Sequence, residues 1–294
     1  MNGSNNGFFT YLLVDNGLLQ EMSAAYEEPD TRHRPTWLEP LYAQRALEVS
    51  PILIDVGAAY EAGDIEQVMG YVNARKPALH VSIIESELEL GKLAHHLRRF
   101  IFIVDPQGKQ FTLRFADCAV LASLSSVLTP AQWGTMARPI KRWGIHARSG
   151  AVTQIPSTDA VTQGQTPLRL DQAQLAELDE TSEPDHLIAK VKMMRHGMDL
   201  PGNADEHYAW ALKARREWKA ANNSNPLSLL FLTEAMLLCR GSILCGHEIR
   251  DALIMDEVAS LRERLKYLIE ENAESDQIGR LDFDDEYLNK SKGM

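Results

Sequence analysis

The sequence predicts an α/β N-terminal lobe, a mixed sheet with flanking helices, followed by an all-α C-terminal lobe. Apolar β-rich runs alternate with helical periodicity up to about residue 148, and a polar stretch rich in Ser, Thr, Gly and Gln follows. Beyond that stretch only helical patterns remain. The predicted domains are an α/β lobe (1–148), a linker (149–167), a helical lobe (168–275) and a flexible acidic tail (276–294).

Local signals predict the individual elements of both lobes. Runs of β-branched and aromatic residues predict strands at 8–15, 50–57 and 78–86. Apolar residues at helical spacing predict helices of the first lobe at 18–28, 62–76 and 88–100. In the second lobe the same spacing predicts helices at 171–180, 184–196, 204–221, 226–245 and 247–273.

The stretch HLRRFIFIVDPQGKQFTLRFAD (96–117) predicts a hairpin that leads into a helix. Two β-rich runs flank the turn Pro106–Lys109, and Asp117 precedes an apolar helical run that its carboxylate can cap. If 110–116 is a strand, Phe115 lies on one face and Arg114 on the other. Arg114 is then either paired with a carboxylate under a helix or exposed in a groove.

Composition and charge limit the compartment and the class of partner. The net charge is −11, and residues 151–294 hold 16 Lys and Arg against 25 Asp and Glu. An acidic chain repels phosphate backbones, so nucleic acid is not an expected partner. Three cysteines form no disulfide framework, and no apolar run reaches the length of a signal peptide or a membrane span. A cytoplasmic protein is therefore expected.

Two clusters raise the question of catalysis or metal binding. Cys239, Cys245 and His247 are possible zinc ligands by type, but they lack the close Cys pair of structural zinc sites, so buried helix cysteines are favoured. His95 and His96 could form a general base beside an anion site, but adjacent helical residues point to different faces. A solvated or capping role is preferred, and neither a metal nor a cofactor is expected.

The basic segment RPIKRWGIHAR (138–148) offers a second candidate surface. It contains Arg138, Arg142 and Trp143 and no acid. Aromatic and basic residues together can bind single-stranded nucleic acid, but a strand with a basic solvent face, or a face presented to an acidic protein, is preferred. No GxGxxG, GxxxxGK, HExxH or GxSxG motif occurs, which removes several enzyme classes. A hydrolase or transferase without these motifs stays an alternative.

The segments YLLVD, TWLEPLYA and VSPILIDVG are followed along the chain by HLRR, the VDPQGK turn, LRFAD and TPAQW. Together these segments resemble the effector adaptor/chaperone domain of bacterial type VI secretion systems. HLRR, the VDPQGK turn and LRFAD are the most specific part, because they occur in the order and at the spacing of that family. The similarity runs from about residue 10 to 148. An aromatic position of the family is occupied here by Ala116.

The resemblance implies a non-enzymatic protein that binds a toxic effector in the cytosol and helps to load it onto the secretion spike. The expected partner is a cognate secreted effector, with the spike protein as a second candidate. The residues expected to bind a partner are Arg98, Arg99, Arg114, Phe115, Arg138, Arg142 and Trp143. The residues expected to maintain the motif are Asp105, Gly108 and Asp117.

Overall fold

The structure is a computed structural model that describes residues 7–20, 35–42, 49–156, 165–196, 199–243, 247–255 and 257–272. It contains two compact units, residues 1–181 and 182–294. The first unit combines sheets with helices and the second is helical, so the predicted fold class is confirmed.

The first unit is organised around a six-stranded antiparallel sheet with the strand order β2-β3-β1-β4-β7-β8. Its central strand β1 is buried along most of its length because Tyr11 and Leu13 face one side and Leu12 and Val14 the other. The strands are β1 (Phe9–Val14), β2 (Leu38–Pro40), β3 (Ile52–Asp55), β4 (Val81–Ser86), β7 (Ile140–His146) and β8 (Val152–Gln154).

Helices cover the sheet on both faces. The first six are α1 (Asn16–Gln20), α2 (Val56–Ala62), α3 (Ile65–Asn73), α4 (Leu90–Arg98), α5 (Cys118–Val127) and α6 (Pro130–Ala137). One apolar cluster joins Leu12 and Val14 of β1 with Val68 and Tyr71 of α3. A larger cluster on the other face joins Tyr11 and Leu13 with residues of α4, α5 and α6. The sheet is therefore buried from both sides around β1.

The predicted hairpin is confirmed, but it belongs to a second, three-stranded sheet. Strand β5 (Phe102–Val104) pairs antiparallel with β6 (Gln110–Thr112) and parallel with β9 (Leu168–Arg169). In the turn, the Gly108 amide donates to the Asp105 carbonyl over 3.0 Å, and Gly108 has φ +84°. Glycine adopts this left-handed conformation without the steric cost of a Cβ.

The strand predicted at 110–116 is shorter than expected. Strand β6 ends at Thr112, and a turn follows in which the amide of Asp117 donates to the carbonyl of Arg114 over 3.1 Å. Phe111 is 40% exposed while Leu113 and Phe115 are buried, so only Leu113 and Phe115 contribute to the core. The strand ends there because the residues after Thr112 pack into the hydrophobic core beside the start of α5.

The first unit extends beyond the predicted lobe. Residues 152–154, predicted within the linker, form β8 on β7, and Leu168 and Leu170 are part of the large core. The units divide between Thr181 and Ser182, inside α7 (Gln172–Met194), because the first turns of α7 also pack on the first unit. Gln174 there donates to the Val127 carbonyl over 3.0 Å. Helix α7 also contains Pro184, where the sequence predicts two separate helices.

The second unit is built from the end of α7 and from further helices. These are α8 (Ala204–Ala220), α9 (Pro226–Leu238), α10 (His247–Ile254) and α11 (258–272). Helix α9 is mostly buried, and its Leu232 and Met236 pack with Ala214 of α8 and with Leu261 and Leu265 of α11. The helix predicted at 247–273 is interrupted near Met255.

The predicted acidic tail lies outside the described residues. Within those residues, no helix is long and apolar enough to cross a membrane.

Candidate functional site

Arg114 lies at one end of the six-stranded sheet and pairs with a buried carboxylate. Its guanidinium Nη2 lies 3.3 Å from Oδ2 of Asp15, the residue that follows β1. The Asp15 side chain is 4% exposed and that of Arg114 is 42% exposed. Asp15 also accepts a hydrogen bond from the Leu18 amide over 2.9 Å. The guanidinium group of Arg114 is therefore held by Asp15, while almost half of the Arg114 side chain is open to solvent.

Arg98 repeats this arrangement from another element. It is the last residue of α4, and its guanidinium Nη2 donates to Oε1 of Glu39 on β2 over 2.5 Å and to the Pro40 carbonyl over 2.7 Å. The Arg98 side chain is 35% exposed and that of Glu39 is 21% exposed. A charge-assisted bond and a carbonyl bond together hold the guanidinium in one orientation.

The sheet register places both arginines at the same end of the sheet. Pro40 of β2 pairs with Ile52 of β3, and Ile52 pairs with Val14 of β1, immediately before Asp15. Arg98 donates to the carbonyl of Pro40 at one end of this row, and Arg114 pairs with Asp15, which directly follows Val14 at the other end. We call Asp15, Glu39, Arg98 and Arg114 the arginine end.

Tyr42 is an additional polar residue near the arginine end. Burial raises the pKa of its phenol, the negative charge of Asp15 raises it further, and the positive charge of Arg114 lowers it. The tyrosine therefore stays a protonated hydroxyl around neutral pH and can act as a hydrogen-bond donor. An array of two anchored arginines and a tyrosine suits recognition of carboxylates on a protein surface.

A cysteine and two histidines lie behind Asp15 and Arg114, beneath the same end of the sheet. Cys118 Sγ lies 3.1 Å from the Val81 carbonyl, which His146 Nδ1 also approaches at 2.8 Å. Burial raises the pKa of the Cys118 thiol to about 12. A nucleophilic cysteine needs a lowered pKa, so this thiol behaves as a structural donor.

His80 is buried next to this group and contributes to packing. Its Nε2 lies 2.7 Å from the Tyr71 carbonyl, while its Nδ1 has no hydrogen-bond partner in the described part of the chain. Burial lowers the pKa of His80, and the nearby positive charge of Arg75 lowers it further. The ring is therefore neutral around pH 7, with Nε2 donating to the carbonyl.

The other predicted arginines lie on exposed surfaces. Arg99 Nη2 donates to the Thr166 hydroxyl over 3.2 Å, and Arg138 is exposed at the end of α6. Arg142 of β7 binds the opposite residue Glu85 of β4 with both Nε and Nη2, and the Nε bond measures 2.6 Å. Among the described residues, no contact connects these three arginines with the arginine end.

Phe115 and Trp143, predicted to contact a partner, lie in the core instead. Phe115 is 0% exposed and Trp143 is 3% exposed. The Trp143 indole donates to the Ser82 hydroxyl over 3.0 Å, and its ring stacks on Trp133 at 6.0 Å between centroids. Its position in β7 turns the ring inward and Arg142 outward, because neighbouring side chains of a strand face opposite sides. A buried indole offers no platform on which a nucleic-acid base can stack.

Asp105 and Asp117 both have local structural roles. The Asp105 carboxylate accepts from the Lys109 amide over 2.8 Å and closes the hairpin turn that contains Gly108. The Asp117 carboxylate accepts from the Ala119 amide over 2.8 Å and caps α5, as predicted. Both carboxylates thus satisfy backbone amides that would otherwise lack partners.

The histidine pair does not form a joint site, and the possible zinc ligands are only partly within the described residues. His95 is exposed, whereas His96 Nε2 lies 2.8 Å from the Met136 carbonyl, and burial lowers the pKa of His96. Cys239 is buried, and Cys245 lies outside the described residues. Among the residues that are described, no group of three or more His, Cys, Asp or Glu side chains is placed to hold a metal.

The arginine end lies within a stretch that matches a known family. Residues 10–135 match the family model described as Domain of unknown function (DUF4123). This stretch runs from β1 into α6, so it contains all four residues of the arginine end. Searches of curated proteins and of solved structures found no significant match.

The sequence did not indicate the two acids that hold the arginines. Asp15 lies 99 residues from Arg114, and Glu39 lies 59 residues from Arg98. The position of Asp15 gave one indication of a structural role. An acid directly after an apolar β-rich run lies at the end of a strand, where the start of a following helix needs a cap. No comparable local pattern marks Glu39.

Proposed function

We propose that this protein is a non-enzymatic adaptor that binds a toxic effector in the bacterial cytosol and helps to load it onto the type VI secretion spike. The observation that carries the proposal is the arginine end, where two arginines with partly exposed side chains are each held by an acid within the DUF4123 stretch. The resemblance of HLRR, VDPQGK and LRFAD to the adaptor domain supports the same role.

The arginine end supports a binding role through pre-organised hydrogen-bond donors, because each guanidinium is held in place by an acid. An arginine already held by an acid loses less side-chain freedom on binding than a free one. Arginine is also among the residues that contribute most to binding energy at protein interfaces. An acidic patch on the effector would fit between Arg98 and Arg114, with the Tyr42 hydroxyl as an additional donor. The proposal assigns no catalytic role to the chain. The raised pKa of Cys118 argues only against this one thiol as a nucleophile.

The test is co-purification with the effector encoded next to this gene. The adaptor and the effector should elute together from gel filtration as a stoichiometric complex. Replacing both arginines (Arg98→Gln with Arg114→Gln) should weaken binding at least tenfold, about 1.4 kcal/mol or more. Asp15 and Glu39 stay in place, so the variant also needs a melting curve that shows it is folded at the assay temperature.

Lys92→Gln is a control for the surface of helix α4, because Lys92 lies on the same helix as Arg98 and its side chain is 68% exposed. It removes one positive charge outside the arginine end and should leave the affinity unchanged. Arg142→Gln tests the exposed face of β7 separately. Equal losses in the control and in the double variant would show that general charge, and not this site, drives binding. If no neighbouring effector co-elutes and toxin delivery is normal after deletion of the gene, the adaptor role is refuted.

A further inference from the structure

The second unit carries a groove that the proposed function does not use. It has a volume of about 330 Å³ and lies between the end of α7, α9 and α11. Its apolar floor consists of Phe231, Leu265 and Ile269. Its cationic rim consists of Arg195, Arg262 and Lys266.

The cations of the rim are not equally compensated. Arg195 pairs with Glu234, with Nε and Oε1 2.7 Å apart. Arg262 instead lies over the Phe231 ring, 5.2 Å from its centroid. Glu270 also lines the groove, one helical turn after Lys266. Among the described residues, no carboxylate forms an ion pair with Arg262 or Lys266, and both side chains are exposed.

An occupant of this groove should therefore bring apolar side chains for the floor and carboxylates for two exposed cations. The segment LDFDDEYL (281–288) of the same chain has this composition. It contains four acids, four large apolar or aromatic residues and no lysine or arginine. Acids would compensate Arg262 and Lys266, and aromatic rings suit a floor that includes Phe231.

The connection is long enough for this segment to return to the groove. The distance along α11 from Arg262 to Asn272 is about 15 Å at 1.5 Å per residue. Residues 273–280 link α11 to the segment, and an extended chain of this length spans roughly 26–29 Å. A tethered segment of this kind binds at an effective concentration in the millimolar range, so a modest intrinsic affinity suffices.

We propose that residues 281–288 bind in the groove between α7, α9 and α11 of their own chain, as an intramolecular strap. The acids of the segment pair with Arg262 and Lys266, and its apolar side chains cover Phe231, Leu265 and Ile269. The inference is independent of the adaptor role, because it concerns only the second unit and its test requires no effector.

The test is limited chymotrypsin digestion of the full chain, with cleavage after Phe283 and Tyr287 followed by mass spectrometry. Each cleavage rate is divided by the rate for a free peptide of the same tail sequence, which corrects for protease preference. A bound strap is cleaved more slowly than the free peptide. Arg262→Glu with Lys266→Glu should raise the relative rate about tenfold, because two attractions become repulsions.

The control variant, Lys190→Glu with Arg216→Glu, makes the same change in net charge at exposed positions of the second unit outside the groove. Its cleavage rate should match that of the wild type. Asp284→Lys with Asp285→Lys should also release the strap. Combining this tail variant with the reversed groove should restore slow cleavage, which a loss of folding cannot do.

Three results would overturn the proposal. One is a wild-type tail that is cleaved as fast as the free peptide, which would leave the groove to another acidic partner. Another is protection that increases with protein concentration, which would assign the groove to the tail of a second copy. The third is failure of the combined charge exchange to restore protection while the melting temperature equals that of the wild type.

Discussion

Replacing Asp117 tests whether this residue of the LRFAD segment is a helix cap. In the structure its carboxylate accepts from the Ala119 amide over 2.8 Å at the start of α5. Loss of such a cap costs about 1 kcal/mol, and loss of a negative charge at a helix N-terminus costs roughly a further 0.3–1 kcal/mol. We therefore expect Asp117→Ala to lower the free energy of unfolding by about 1–2 kcal/mol.

Asp117→Ser separates the two contributions, because serine caps a helix well but carries no charge. It should keep the cap and lose the charge contribution, about 0.3–1 kcal/mol. The negative charge of Asp117 also stabilises the positive charge of Arg75. Burial lowers the pKa of Arg75, and Asp117 opposes this lowering. Part of the charge contribution therefore belongs to Arg75 and should be lost in both variants.

The assay is urea unfolding followed by far-UV circular dichroism, with effector binding measured on the folded fraction. For a unit of this size, each 1 kcal/mol corresponds to roughly 2–4 °C in melting temperature. The capping argument is refuted if Asp117→Ser is as destabilised as Asp117→Ala. If both variants retain full stability but lose partner binding, Asp117 is a contact residue instead of a cap.

Two further predictions concern one buried histidine and one glycine. Burial holds the pKa of His80 below its usual value of 6.5, so as the pH falls below about 6.5 the unfolded chain takes up the proton first. The free energy of unfolding should therefore decrease from pH 7.5 to pH 5.5, and the decrease should be smaller in His80→Asn. Urea unfolding at these two pH values measures both decreases. If the variant shows the same decrease as the wild type, other groups cause it. Gly241→Ala should destabilise the second unit more than Gly63→Ala destabilises the first. Both glycines have a left-handed φ (+77° and +82°), so both substitutions carry the same backbone cost. A Cβ at Gly241 would also lie 2.5 Å from Trp210, whereas the space at Gly63 is open. Thermal unfolding followed by tryptophan fluorescence measures the difference, and equal losses would show that Trp210 moves aside at no cost.

Local features of the fold were predictable because short-range contacts determine them. The Asp117 cap, the turn closed by Asp105 and Gly108, and the capping box of Thr129 and Gln132 each join residues no more than four apart. Such contacts depend on a few neighbouring residues and little on the rest of the chain. The alternation of strand and helix patterns likewise indicated an α/β part followed by a helical part.

The extent of each element and of each unit followed less well from the sequence. Strand β8 and the first turns of α7 joined the first unit although their sequence is polar, because the β7 edge and the Val127 carbonyl provide hydrogen-bond partners. Those partners are distant in sequence, so local composition does not reveal them.

The sequence by itself determined the fold class, the hairpin, the helix caps and the resemblance carried by residues 96–117. Only the tertiary structure decided which of the predicted contact residues are accessible. It buries Phe115 and Trp143, and it holds Arg98 and Arg114 half-exposed at one end of the sheet. The physical reason is that sheet register and long-range ion pairs set the exposure of a side chain, and both are properties of the folded chain as a whole.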